Sequence, residues 1–202
     1  KYNLDYLLSK NDLISFSVYY TEIEDLILIE EKIPEQTYFL ANTTILDPRG
    51  AKNAANSYIY GSDISYNKHS YFSGYDLNYW INYSFVDGQI DYEYDYDLPF
   101  LAHNTFKAGT TLKYKKFTVS PSIRWMSPVT ASYYKNNELA KVDSYFISNI
   151  YGSYSLDKKQ KISLKIDNLF NEHYYGVRYN TSSKYVSPQN TRMVSFAYTI
   201  NF

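Results

Sequence analysis

The chain has 202 residues, 26 of them Tyr and 11 Phe, a formal net charge of −1 and no cysteine. Near-neutral charge leaves no basic footprint for nucleic acid, and the absence of cysteine removes disulfide and thiolate–metal schemes. No run approaches the ~18–20 apolar residues of a membrane helix, the densest being Leu26–Ile29. A membrane β-barrel would leave no such run, because its strands alternate apolar-out and polar-in.

Period-two alternation predicts about nine strands. Residues 2–9 alternate Tyr2, Leu4, Tyr6 and Leu8, with no leader-like segment before them. "KND" at 10–12 turns the chain into a second strand over 13–29, with Ile14, Phe16, Val18 and Tyr20 in phase. Residues 30–56 contain Pro34, Pro48 and Gly50, lose the period and read as a long loop. A third strand covers about 57–67, "KHSYFS" forms a short connection, and a fourth runs over about 74–86 with Leu77, Tyr79, Ile81, Tyr83 and Phe85 in phase. A second long loop, "DGQIDYEYDYDLPFLAH" at 87–103, precedes strand five over about 104–115. Lys115–Lys116 turns into strand six, where Pro121 predicts a bulge, because proline has no N–H for a ladder. A third loop at 127–142, strand seven over about 143–156, "DKKQ" at 157–160, strand eight through Ile162, Leu164 and Ile166, and a fourth loop at 171–190 lead to the last strand.

The connections alternate short and long without exception. That pattern describes up-and-down antiparallel strands with one trimmed rim and one elaborate rim, as in outer-membrane barrels. Several strands reach the ~9–11 residues of a tilted membrane strand, against a mode of about 5–6 in globular proteins. Tyr, with an apolar ring and a polar tip, suits a membrane–water boundary. The face opposite the apolar rows carries Lys107, Lys113, Arg124, Lys165 and Asp167. The expected class is therefore all-β: an antiparallel, up-and-down transmembrane β-barrel segment. A soluble Tyr-rich β-sandwich that binds carbohydrate is the alternative. A small complete barrel acting as an adhesin is a third reading, disfavoured by an odd strand count.

At "KISLKIDNLFNEHYYG" the chain resembles the C-terminal end of a TonB-dependent outer-membrane receptor. Asn168, Leu169, Phe170 and Asn171 match the "NLF(N/D)" that ends the family's penultimate strand. A Tyr pair, Tyr174-Tyr175, then Pro188 and a last strand from Val194 to the aromatic Phe202 follow in the family's order. Where the family often has Pro-Gly-Arg, this chain has Pro188-Gln189-Asn190-Thr191-Arg192, without the Gly and with an insertion. Upstream, "LISFSVYYTEIEDLIL" and "SYIYGSDISYN" resemble mid-barrel strands of the family, with Gly61 at its usual glycine position.

The resemblance implies a barrel of 22 strands with a plugged lumen, of which residues 1–202 are about the last nine strands; the N-terminal plug and the first strands would lie in a longer polypeptide. It implies active uptake of an iron–siderophore complex or similar scarce nutrient, with no enzymatic activity and no cofactor. The TonB complex would act through the plug, and lipid and lipopolysaccharide would surround the barrel in the bacterial outer membrane. The row Val194, Phe196, Tyr198, Ile200 and Phe202 would be the signal that the barrel assembly machinery reads.

For binding, the last long loop offers Tyr174, Tyr175, Arg178, Tyr179, Lys184 and Tyr185, and the first offers, more weakly, Arg49 and Lys52. Aromatic rings with cations suit an anionic, aromatic iron chelate. "DYEYDYD" at 91–97 reads as a solvated acidic loop or a cation contact, without the Gly that a calcium loop needs. His69, His103 and His173 are too scattered for a metal site. Ser70 beside His69 falls in a predicted short turn, so no catalytic constellation arises.

Deleting Phe202 removes one partly buried ring, about 1–3 kcal/mol by area. We expect it to lower the amount of receptor in the outer membrane far more than the melting temperature of the receptor that inserts. Unchanged membrane yield with a lowered melting point would make Phe202 ordinary packing.

Overall fold

The structure, a computed structural model, describes residues 2–25, 27–29, 38–40, 43–45, 51–53, 56–90, 96–97, 101–130, 141–177 and 186–201. Nine long strands account for most of them: β1 (Tyr2–Ser9), β2 (Asp12–Ile23), β3 (Ser57–Phe72), β4 (Tyr75–Ile90), β5 (Asn104–Tyr114), β6 (Phe117–Met126), β7 (Tyr145–Ser155), β8 (Gln160–Asp167) and β9 (Met193–Ile200). Each pairs antiparallel with its chain neighbours, in the order β1 to β9, and the two-residue strand Tyr96–Asp97 extends the end of β4. This order puts all four short turns on one rim and all four long connections on the other. The long connections carry two-stranded hairpins of their own, such as Val129–Thr130 with Lys141–Val142 and Tyr175–Val177 with Val186–Pro188.

Two sequence-based boundaries move and one expected bulge is absent. The connection predicted over "KHSYFS" is strand: β3 continues through Phe72, and the turn is Ser73–Gly74, both with positive φ (48° and 82°). That is the geometry of a two-residue hairpin turn that matches strand twist. His69 and Ser70 therefore lie in β3, not in a turn. The second strand ends at Ile23, and Ile27–Ile29 pairs separately with Ala51–Asn53. Pro121 makes no bulge. The β5–β6 ladder lapses where Thr110 and Thr111 face Pro121 and Ser120, then resumes in the same register, Leu112↔Val119 on one side and Gly109↔Ser122 on the other. The missing N–H costs one ladder bond without displacing the strand.

The register sorts the side chains into two faces. One face holds an apolar set on every strand, as in the cross-strand row Leu4–Phe16–Ile64–Tyr83–Phe106–Trp125–Phe146. It ends in Ile162↔Tyr198, Leu164↔Phe196 and Ile166↔Val194. Among the described residues nothing covers this face: Tyr2 is 81% exposed and Phe196 70%. Among the described residues only Ile90, Val129, Val142 and Ile147 are buried apolar side chains. A soluble sandwich needs a second sheet packed on its apolar face; here that face meets the surroundings along its whole width, as a lipid-facing barrel wall does. The other face carries Asn3, Asp5, Ser15, Ser17, Asp63 and Ser65 on β1–β3, and Lys107, Ser122 and Arg124 farther on. It is the luminal face.

β3 and β4 have 16 residues each. At about 3.3 Å per residue and a tilt near 45° they rise roughly 35 Å, beyond an apolar band of about 25 Å. On β4 the outward row changes from Phe85 to Asp87 and Gln89, whose side chains accept hydrogen bonds from the Tyr60 and Tyr58 hydroxyls at 3.2 and 3.0 Å. The apolar wall ends there in an aromatic belt with polar tips.

Phe196→Arg should cost about 2–4 kcal/mol near the membrane midplane, whereas Ala197→Arg, on the luminal face, should cost little. Urea unfolding of the full receptor in bilayers measures both. Equal costs would overturn the assignment of faces.

Candidate functional site

Toward the long-loop rim, β4 to β8 enclose a luminal concavity of about 450 Å³, lined by Trp80, Lys107, Arg124, Asn149, Asp167 and Tyr174 among others. Register builds it. Lys107 on β5 lies directly opposite Arg124 on β6, and Gly109 opposite Ser122. On the far side, Gly109 faces Trp80 of β4. A Cβ at Gly109 would meet Trp80 Cζ2 at 2.8 Å, so only glycine lets the indole lie flat across β5. The same device recurs at Gly61, where a Cβ would strike the Tyr19 ring.

Like charges directly across a strand pair repel. The acid in the concavity does not relieve Lys107 and Arg124: Asp167 is held by Lys165 at 2.8 Å, and among the described residues neither cation has a carboxylate within 4 Å. Arg124 instead lies 5.4 Å from the Tyr145 ring centroid, and Tyr145 contacts the Tyr174 ring at 4.6 Å. The guanidinium thus lies against one ring of a tyrosine pair and lines the concavity. Two cations, the Tyr174 ring backed by Tyr145 at a tilt of 42° and an indole around one concavity can hold a planar, anionic ligand by charge, hydrogen bonding and ring contact together.

The "NLFN" segment is a clasp. Asn168, 3% exposed and with φ of 53°, donates from Nδ2 to the Glu172 carbonyl at 2.8 Å and the Asn190 carbonyl at 3.3 Å. Its Oδ1 accepts from Glu172 N–H at 2.8 Å, and its own N–H donates to Asn149 Oδ1 at 2.9 Å. Leu169 N–H donates to the Ser148 carbonyl. Asn171, also at positive φ (58°), accepts from Arg192 N–H at 2.9 Å. These bonds tie the end of β8 to β7 and to the start of β9. They fix the segment that bears Tyr174, whose carbonyl accepts from Gln189 N–H. Phe170, by contrast, is exposed.

Of the binding residues expected from sequence, Tyr174 enters the concavity and Tyr175, next in an extended segment, points away and is half exposed. Arg49, Arg178, Tyr179, Lys184 and Tyr185 lie outside the described residues, as do Phe202 and residues 91–95 of the acidic stretch. Val194, Phe196, Tyr198 and Ile200 stand together on the outer face of β9. His103 Nδ1 lies 3.2 Å from Asp87 at the long-loop rim, His69 Nε2 lies 2.8 Å from Asp76 near the other rim, and His173 is exposed. Sequence reading missed Trp80 and Tyr145. Their signal was an aromatic ring on the polar phase of its strand, with a glycine in phase on the next strand in the case of Trp80.

Comparison with known proteins agrees with this geometry. The family described as TonB dependent receptor-like, beta-barrel matches residues 1–169. The chain belongs to this family: it is β-barrel wall of the bacterial outer membrane. Among individual relatives, the Ferric-pyoverdine 358 receptor of Pseudomonas putida is 24% identical over 96 residues, 46% of this chain and 12% of that protein. The ferripyoverdine receptor of the Pseudomonas aeruginosa outer membrane superposes with a TM-score of 0.69 at 14% identity, over 100% of this chain and 27% of that one. The Ferric-Catecholate import receptor Fiu from K12 E. coli gives 0.68 at 16% identity, over 97% and 26%. The copper transporter OprC gives 0.73 at 16%, over 99% and 29%. The chain thus spans little more than a quarter of the length of these solved structures.

Asn168→Ala should destabilise by about 1–3 kcal/mol, since it leaves buried backbone groups unpaired and keeps a Cβ at positive φ. Asn168→Gly should recover only the part due to φ. Thermal melting and protease cleavage within 172–190 measure the effect. Wild-type behaviour of both variants would reduce the clasp to coincidence.

Proposed function

We propose that residues 1–202 are the C-terminal part of the barrel of a TonB-dependent uptake receptor, and that its ligand is an anionic, aromatic metal chelate of the iron–siderophore class. One observation carries the ligand reading: Lys107 and Arg124 face each other across β5 and β6, with no carboxylate within 4 Å of either among the described residues, beside the Tyr145–Tyr174 pair. A cation pair that repels within the empty wall is stabilised by an anionic ligand, and the rings match the aromatic part of such a chelate. That three of the relatives named above are ferric-chelate receptors supports the same class.

In this reading Arg124, oriented by the Tyr145 ring, presents its free N–H donors to an anionic oxygen of the chelate in the fork geometry that guanidinium allows. Lys107 adds a point charge from the neighbouring strand. Trp80 and Tyr174 bound the ligand from the sides, and the hairpins of the long connections close over it. Arg49, Arg178, Tyr179, Lys184 and Tyr185 are proposed as further contacts from those connections. The N-terminal plug and the remaining strands, supplied by the longer polypeptide, complete the lumen; the TonB complex acts on the plug, and the barrel assembly machinery on β9.

Arg124→Ala in the full receptor should weaken binding of a ferric chelate about 10- to 100-fold, the loss of a charge-assisted hydrogen-bonded contact of roughly 1.5–3 kcal/mol. Arg124→Lys should recover only part, since it keeps the charge and loses the fork. Quenching of intrinsic fluorescence by a panel of ferric catecholate, hydroxamate and pyoverdine-type chelates reads both. Unchanged affinity across the panel for Arg124→Ala would remove the concavity as the ligand site.

A further inference from the structure

The short-turn rim carries a second constellation, on the lipid-facing side. One cross-strand row runs Phe72–Tyr75–Tyr114–Phe117–Tyr154–Ile162–Tyr198 over seven strands. Its rings are in contact: Phe72 to Tyr75 at 5.6 Å, Tyr75 to Tyr114 at 4.3 Å, Phe117 to Tyr154 at 4.6 Å. Two lysine pairs sit against it, Lys115–Lys116 in the β5–β6 turn and Lys158–Lys159 in the β7–β8 turn. The turns adjoin: Lys116 Nζ donates to the Leu156 carbonyl at 2.6 Å, and Ser155 N–H donates to the Lys116 carbonyl.

Three features set these lysines apart from ordinary solvated turn residues. First, in the β5–β6 turn both ammonium groups fold back onto the aromatic row: Lys115 Nζ lies 5.1 Å from the Tyr114 centroid and Lys116 Nζ 6.0 Å from that of Tyr154. Second, none of the four has a carboxylate within 4 Å among the described residues. Asp157, the acid in these turns, is consumed by the turn itself, its Oδ1 accepting from the Lys159 and Gln160 N–H groups at 2.7 and 2.8 Å. Third, Lys115 holds φ of 53° at the first central position of its turn, where glycine is the unstrained choice. A charged side chain kept at a strained backbone position motivates a functional reading.

We infer that the Lys115–Lys116 and Lys158–Lys159 turns, with the aromatic row above them, bind the phosphate headgroup of an anionic glycerophospholipid in the periplasm-facing leaflet. The short turns of an outer-membrane barrel lie on the periplasmic side. Cations folded against lipid-facing rings meet negative charge at the level where acyl chains begin. An amphiphile with a phosphate supplies both parts: its tails lie on the row Val119, Leu164 and Phe196, one step further into the membrane, and its phosphate reaches the ammonium groups. The opposite end of the outer wall presents Asp87 and Gln89 to its tyrosines instead. This inference does not depend on which ligand the lumen takes.

The test is lipid retention by the full receptor, purified in detergent with equimolar phosphatidylglycerol and phosphatidylethanolamine and read by native mass spectrometry. Wild type should retain phosphatidylglycerol in preference. Lys115→Gln/Lys116→Gln should lower that preference, by roughly five-fold per lysine removed if each is worth about as much as a basic residue at an anionic membrane surface. Lys158→Gln/Lys159→Gln, on a different turn, provides a second variant should the first fail to insert. Lys113→Gln/Lys161→Gln, an equal charge change on the luminal face of the same strands, should leave the preference as in wild type. Equal retention of the two lipids by wild type, an equal drop in the luminal control, or undiminished preference in both turn variants would overturn the site. Stripping of the lipid by inorganic phosphate alone would overturn the phospholipid as its occupant.

Discussion

Continuous hydrogen bonding between neighbouring strands is the constraint from which the rest of this structure follows. In hydrocarbon there is no water to satisfy a backbone N–H or C=O, so a membrane-spanning sheet holds its ladder across its full height. From Asp12↔Lys68 to Ile23↔Ser57, and again from Phe72↔Tyr75 to Ser57↔Ile90, the pairing is unbroken. Where a residue without an N–H intrudes, at Pro121, the register holds and one bond is lost. Because the ladder fixes register, it also fixes faces: a slip of one residue would carry every apolar side chain into the lumen. The exposed rows of Tyr, Phe, Leu and Ile are thus the solvent-matching half of the same constraint.

Once the outer face is committed to lipid, the inner face is free to specialise. It needs no packed core, and the described residues show none there. This allows arrangements that a soluble interior would not tolerate, such as Lys107 opposite Arg124 with no carboxylate paired to either among the described residues. The same freedom explains the glycines under Trp80 and Tyr19: an aromatic ring laid across a strand needs a missing side chain beneath it, and in return covers exposed backbone. The luminal concavity is therefore made by register. Its four strongest features, Trp80, Lys107, Arg124 and Tyr145, come from four different strands.

The long connections need anchoring, because they leave the sheet at its elaborate rim, where their described residues form only short hairpins. Asn168 and Asn171 solve this for the last connection. Asparagine tolerates positive φ and offers both a donor and an acceptor, so two of them bend the chain out of β8 and tie it back to β7 and β9. A motif that reads in sequence as a family mark is thus a piece of local engineering that holds Tyr174 at the lumen wall.

Sequence alone determined the class and the two faces. Period-two alternation is a local property, so Val194, Phe196, Tyr198 and Ile200 declare their common face without any neighbour, and strict alternation of short and long connections declares the up-and-down order. The turn at Ser73–Gly74 was misplaced because polar residues within "KHSYFS" blur the alternation at a strand end. Tertiary structure decided which residues meet. Lys107 and Arg124 are 17 positions apart, and Tyr145 and Tyr174 are 29 apart; nothing in their own neighbourhoods marks them as partners. Cross-strand contact depends on register, and register is set jointly by turn geometry and by the matching of whole rows. That is a property of the assembled sheet, which no single segment carries.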